Sequence, residues 1–230
     1  MYLSIAFNAL IFLLECYVLS NAYFGYVGNA KGEGGQGAMM FHFFTEDSNL
    51  LLGISSLLYL IFVSRSLKGK AMPNWVKVFR LVAVTAVTTT FLVVLLFLAP
   101  AVVIVYHYSY FSMFGFPNTF FTHFVCPLFA VASYLFFEEP LEKKKPDWQM
   151  AFFCLITVVL YAIIIGTLAS LHLVSSDEQV NNVYGFMDIT VNWWASLIAI
   201  ITIIGGTYGE GILLLKGQRR IQKKSPANPA

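Results

Sequence analysis

The run VKVFRLVAVTAVTTTFLVVLLFLAPAVVIVY, residues 76–106, decides the fold class. Past Arg80 it carries no charged side chain, and with roughly 20 apolar residues needed per crossing it is longer than an upright passage through a bilayer requires. Pro100 predicts a tilt, a kink at that point, or continuation beyond the membrane surface as an aromatic segment, because proline withholds an amide from the helix. Working outward, comparable runs cover about 2–24, 48–64, 119–137, 150–173 and 187–215. Lipid cannot hydrogen-bond a bare backbone, so every run is expected to be helical. The expectation is an all-α, polytopic membrane protein with six transmembrane helices. Composition agrees, since 58% of the 230 residues are hydrophobic and 11% are charged, where a soluble domain needs about 25% charge. No separate soluble domain fits in this length. The predicted division is a six-helix domain over 1–216 and a basic tail over 217–230. The first run has neither a basic n-region nor an A-x-A site, so it is expected to remain as a helix.

Orientation follows from the cations. Arg65, Lys68, Lys70, Lys77 and Arg80 surround the second connection, Lys143, Lys144 and Lys145 the fourth, and Lys216, Arg219, Arg220, Lys223 and Lys224 the tail, leaving only Lys31 opposite. The positive-inside rule places both termini in the cytoplasm, and these clusters are expected to set topology and to meet anionic headgroups. The location is an integral, multi-pass one: a bacterial cell membrane, or the endoplasmic reticulum or plasma membrane of a eukaryote. The net charge of +2 and the scatter of basic residues argue against nucleic-acid binding. Cys16, Cys126 and Cys154 lie in apolar runs, so no disulfide framework is expected.

With this orientation His42, His107, His123 and His172, together with Glu15, Glu46, Asp47 and Asp188, fall in the outer half or its loops. Ionisable groups in spans are expensive and usually face the bundle interior, so function is sought there. Thr45, His123 and Asp188 open the second, fourth and sixth helices at similar depth. Helical spacing pairs Thr45 with Asn49, and Asp188 with Asn192, as two polar stripes. Pro127 cannot donate to the carbonyl of His123, so a kinked, hydrated turn is expected there. The competing reading makes Thr45 and Asp188 helix N-caps and His123 an interhelical hydrogen-bond partner.

Threonine becomes a useful nucleophile when a base takes its proton, and histidine can take that proton and return it to a leaving group. Thr45 and His123 are therefore the candidate catalytic pair. Asp188 would orient the imidazole, Asn192 would share its stripe, and Ser48, Asn49 or a helix N-terminal amide would receive the oxyanion. Cys126 is a rival nucleophile ranked below Thr45. Such chemistry within a membrane suits a long-chain lipid or fatty-acyl ligand and requires no cofactor.

The elements Phe44-Thr45-x-x-Ser48-Asn49, His123-x-x-x-Pro127 and Tyr184-x-Phe186-x-Asp188 resemble the androgen-induced membrane protein family and its prokaryotic six-helix relatives. The resemblance implies a six-helix membrane hydrolase of fatty acid esters of hydroxy fatty acids, with Thr45 and His123 as its threonine and histidine. Two other classes compete. One is a metal-binding or redox protein using His42, His123, His172 and Asp188, with Glu46 as a further ligand. The other is a small transporter or channel, suggested by Glu15, Glu210 and the threonines Thr85, Thr88, Thr89 and Thr90. Those threonines are also expected to bond their own preceding carbonyls or a neighbouring helix. Gly205 and Gly209 predict close helix packing, within the bundle or between subunits. Tyr106, Tyr108, Tyr110, Phe111 and Phe114 are expected to form an interfacial belt, or alternatively a lid over the cavity.

Overall fold

A computed structural model describes residues 2–26, 36–107, 109–114, 117–142, 145–170 and 189–224. Six helices are long and apolar enough to span a bilayer, so the chain is a multi-pass integral membrane protein. They are α1 (Tyr2–Phe24), α2 (Phe44–Ser66), α3 (Asn74–Leu98, continued as Ala99–Tyr106), α4 (Asn118–Phe137), α5 (Asp147–Ile164) and α6 (Ile189–Lys224). The fifth helical run carries on to Ser170. The most buried span is α3, which packs against α2, α4 and α6, while α1 lies on α2 and α4. Ile11, Leu52, Leu81, Val84, Val87, Ala130 and Leu215 interlock at its centre.

Close helix approach occurs at glycines other than the expected pair. A Cβ at Gly205 or Gly209 would meet nothing within 4 Å among the described residues, whereas one at Gly211 would lie 2.9 Å from the Cys154 sulfur. The small-residue seam between α5 and α6 is therefore two residues further along the chain than the Gly205–Gly209 spacing suggested. Cys126 and Cys154 are buried thiols, and Cys16 is exposed.

Among the described residues three turns widen into π-helix. In α3 this is Val94–Leu98, where the Ala99 amide reaches back to the Val94 carbonyl. Pro100 cannot make the next bond in that register, to Leu95, and the Tyr110 hydroxyl donates to the Leu95 carbonyl instead. The kink expected at Pro100 thus takes the form of one wide turn just before it, clipped by an aromatic of the following connection. The third wide turn, Ser133–Phe137, ends α4 three residues before Pro140. It is closed by the Glu138 amide on the Ser133 carbonyl (3.1 Å) and by the Ser133 hydroxyl donating to the Glu138 carboxylate (2.7 Å).

That turn aims Glu138 into the bundle. Arg80 Nε donates to both carboxylate oxygens, at 3.0 and 3.2 Å, and Arg80 Nη1 donates to the hydroxyls of Ser55 and Ser56 at 3.0 and 2.8 Å. Asn8 adds a hydrogen bond to Glu138 at 3.1 Å, and Gln218 donates to the Tyr134 carbonyl at 2.8 Å. Arg80 and Glu138 are only 1% and 3% exposed. Lys77 bridges to Glu139 and is itself 8% exposed. The expectation that the whole basic cluster meets headgroups is corrected here: Arg80 and Lys77 are turned inward and neutralised by the acid pair that ends α4. Farther along, α6 runs through the predicted tail boundary to Lys224, and Arg219 pairs with Asp147.

Removing one member of a buried ion pair strands the other. Arg80→Ala or Glu138→Ala is expected to cost about 3–5 kcal/mol, and Arg80→Met with Glu138→Leu much less. Thermal melting followed by circular dichroism in detergent measures both, and additive losses in the double variant would contradict the coupling.

Candidate functional site

At the end of the bundle opposite the basic clusters, here called the rim, α2 begins abruptly. Phe43 is its N-cap, with extended backbone and no side-chain capping bond. Thr45 is therefore inside the first turn of α2, and the capping role considered for it is corrected. Its neighbours Ser48 and Asn49 turn back on it: Ser48 Oγ donates to the Thr45 carbonyl at 2.9 Å and Asn49 Nδ2 to the same carbonyl at 2.8 Å. Ser48 also lies 3.0 Å from the Thr90 hydroxyl of α3.

The wide turn of α4, Phe121–Val125, carries His123. In π register the Cys126 amide bonds to the Phe121 carbonyl, so the next bond of that register, from residue 127 to the Thr122 carbonyl, is the one Pro127 cannot make. That carbonyl is met from α2 by Asn49 Nδ2 at 3.5 Å. Asn49 thereby ties the first turn of α2 to the wide turn of α4. Sequence reasoning located the irregular turn but, assuming an α register, did not include the Thr122 carbonyl among those Pro127 leaves without a donor.

Thr45 lines a cavity of about 70 Å³, together with Phe44, Thr90, Val94, Tyr161 and Ile203. A second cleft of about 180 Å³ continues past Phe44 and Tyr161 to Asp47 and Ser48. The Phe44 and Tyr161 rings meet at 5.2 Å, and the Tyr161 hydroxyl donates to the His42 carbonyl at 2.8 Å, fastening α5 to the turn before α2. No hydrogen bond joins the Thr45 hydroxyl to the His123 ring, and His123 Nδ1 is buried without a partner. Phe124, next to His123, packs edge-on against Phe91 and Phe114. Of the predicted aromatic belt, Phe114 thus covers the α4 turn, Tyr110 clips α3, and Phe111 is exposed. Tyr108 lies outside the described residues, as does the side chain of Tyr106.

Of the predicted site, the structure brings together Thr45, Ser48, Asn49 and the turn of His123. Asp188 and His172 lie outside the described residues, and so does the side chain of Asn192. Among the described residues no three His, Cys, Asp or Glu side chains group as metal ligands. The α3 threonines divide: Thr85, Thr88 and Thr90 bond carbonyls one turn back, at 2.8, 2.7 and 3.1 Å. Thr89 instead donates to Glu210 of α6 at 3.0 Å. Sequence reasoning missed Thr90 as a member of the rim cluster, since nothing in the repeated threonines of α3 distinguishes the one that faces Ser48.

Comparison with known proteins finds no matching family model, no matching curated protein and no matching solved structure.

Asn49→Ala removes the side-chain donor of the Thr122 carbonyl and one of the two side-chain donors of the Thr45 carbonyl, where Ser48 remains. An expected loss of about 1–3 kcal/mol in stability, with faster amide exchange confined to residues near Thr45 and Thr122, is measurable by hydrogen–deuterium exchange. Uniform exchange along α2 and α4 would contradict the tie.

Proposed function

We propose that the chain is an intramembrane hydrolase of long-chain lipid esters, with both termini cytoplasmic, Thr45 as nucleophile and His123 as its base. The observation that carries this reading is the position of Thr45: on the wall of a largely apolar cavity, one Asn49 side chain away from the α4 turn that bears the half-buried His123 imidazole.

In the reaction, Thr45 Oγ1 attacks the ester carbonyl while its proton passes to His123. Collapse of the tetrahedral intermediate expels the alcohol, which takes that proton, and leaves an acyl ester on Thr45. Water then attacks the acyl group, gives its proton to His123, and the carboxylic acid departs as the proton returns to Thr45. Both Nδ2 hydrogens of Asn49 point at carbonyls, so Asn49 acts as a clip and not as the oxyanion donor. The amides of the first turn of α2 are better placed for the oxyanion, since the start of a helix leaves N–H groups without internal acceptors. Ester oxygens at the rim and acyl chain in the cavity match the polarity of the walls, and the same arrangement fits the family resemblance in the sequence. Asp188 remains the proposed support for the imidazole.

A fluorophosphonate probe is expected to label the purified chain at Thr45. Thr45→Ala should abolish labelling, and both Thr45→Ala and His123→Ala should slow long-chain ester hydrolysis by about 10²–10⁴-fold. Labelling that persists unchanged in Thr45→Ala ends the assignment.

A further inference from the structure

Buried polar groups form a file that starts at this site and continues along one face of α2. At the rim stand Asn49, 0% exposed with Oδ1 unpartnered, and His123 Nδ1. One turn deeper lies Glu15 of α1, 1% exposed, its carboxyl set against the Cys126 thiol of α4 and otherwise without a hydrogen-bond partner. A Cβ at Gly53 would lie 3.1 Å from Glu15 Cβ, so the glycine lets α1 and α2 approach closely at this side chain. Ser55 and Ser56 follow within the next turn, joined to Arg80. Beyond them come Asn8, Ser133 and Glu138, and then Tyr134 and Gln218 at the basic end. Asn8 Oδ1, Arg80 Nη2, Tyr134 Oη and Gln218 Oε1 are buried and unpartnered as well. At about 1.5 Å of rise per residue, Glu15 sits roughly 10 Å from Asn8 and nearer still to the level of Asn49. Unpartnered polar atoms in a low-dielectric interior call for ordered water.

Charge points the same way. The groups facing Glu15 are Cys126, with His123 one turn beyond it, from α4, and Arg80 from α3. α2 carries Glu46 and Asp47 in its first turn at the rim and no further titratable side chain until Tyr59, deep at the basic end, and Glu138 closes the file. One guanidinium therefore stands among two carboxyl groups. Net charge is costly at this depth, and one bound proton removes it.

We infer that helices α1 to α4 carry a proton path through the bilayer, with Glu15 as its mid-membrane carrier between the rim and the Arg80–Glu138 pair. The step is transfer of H⁺ alone. The carboxylate accepts it from hydronium on one side, leaving water, and the carboxylic acid yields it to water on the other. Pairing with Glu138 neutralises Arg80, which would otherwise repel the proton. Glu210 lies off this path, bonded to Thr89.

The test uses the full chain in phosphatidylcholine–phosphatidylglycerol liposomes loaded with pyranine, with protons driven inward by a potassium gradient and valinomycin. The expected result is acidification about tenfold faster than in protein-free liposomes, retained in Glu15→Asp and returned to the protein-free rate in Glu15→Gln. Wild-type flux equal to that of lipid alone, or Glu15→Gln conducting like the wild type, overturns the inference. Infrared spectroscopy of the wild type gives an answer that needs no variant: a carboxylic-acid C=O band that shifts on transfer to D₂O supports the path, and its absence overturns it. Neither readout involves an ester, so a chain that hydrolyses none still decides the question.

Discussion

In hydrocarbon, a carbonyl without a donor has only the protein to turn to. Two prolines create such carbonyls here, and each is answered from a different segment: Leu95 by Tyr110 and Thr122 by Asn49. The answering residues define what stands at the rim. Asn49 brings the α2 start and the His123 turn together, and Tyr110 draws the aromatic connection onto α3. A constraint of backbone satisfaction has thus assembled the neighbourhood in which the chemistry is proposed.

The other end of the bundle obeys a different economy. Charges are taken into the interior, but in a set whose members satisfy one another: Glu138 receives hydrogen bonds from Arg80, Ser133 and Asn8. The wide turn at Ser133–Phe137 makes this possible by swinging the end of α4 inward. Both ends of α4 therefore depart from α geometry, and each departure positions a titratable side chain, His123 at the rim and Glu138 at the base.

Helix number and approximate bounds were legible because apolar length alone carries them. Pro100 and Pro127 correctly marked irregular turns, yet the π register was not readable, and with it the identity of the orphaned carbonyls. The burial of Arg80 and Lys77 was also hidden. In a sequence, a lysine or arginine near a span end looks the same whether it faces headgroups or an acid, and the deciding partners lie 58 and 62 positions away, at Glu138 and Glu139. Asn49 was recognised as polar and close to Thr45, but its donors are spent on carbonyls, a distinction that only cross-helix geometry supplies. In the sequence Glu15 stands beside Glu210 only as one of two acidic residues within spans. Its company proved to be α2 and α4, through Gly53 and Cys126.

A π turn holds one residue more than the α turn it replaces, so closing one would rotate every side chain downstream by about 100°. In α4 that rotation would swing Cys126 and Ser133 away from the bundle. The grip of Asn49 on Thr122 is consequently a torsional stop: it sets the angular phase of the lower half of α4, and a side chain near one membrane face governs which way a helix points at the other.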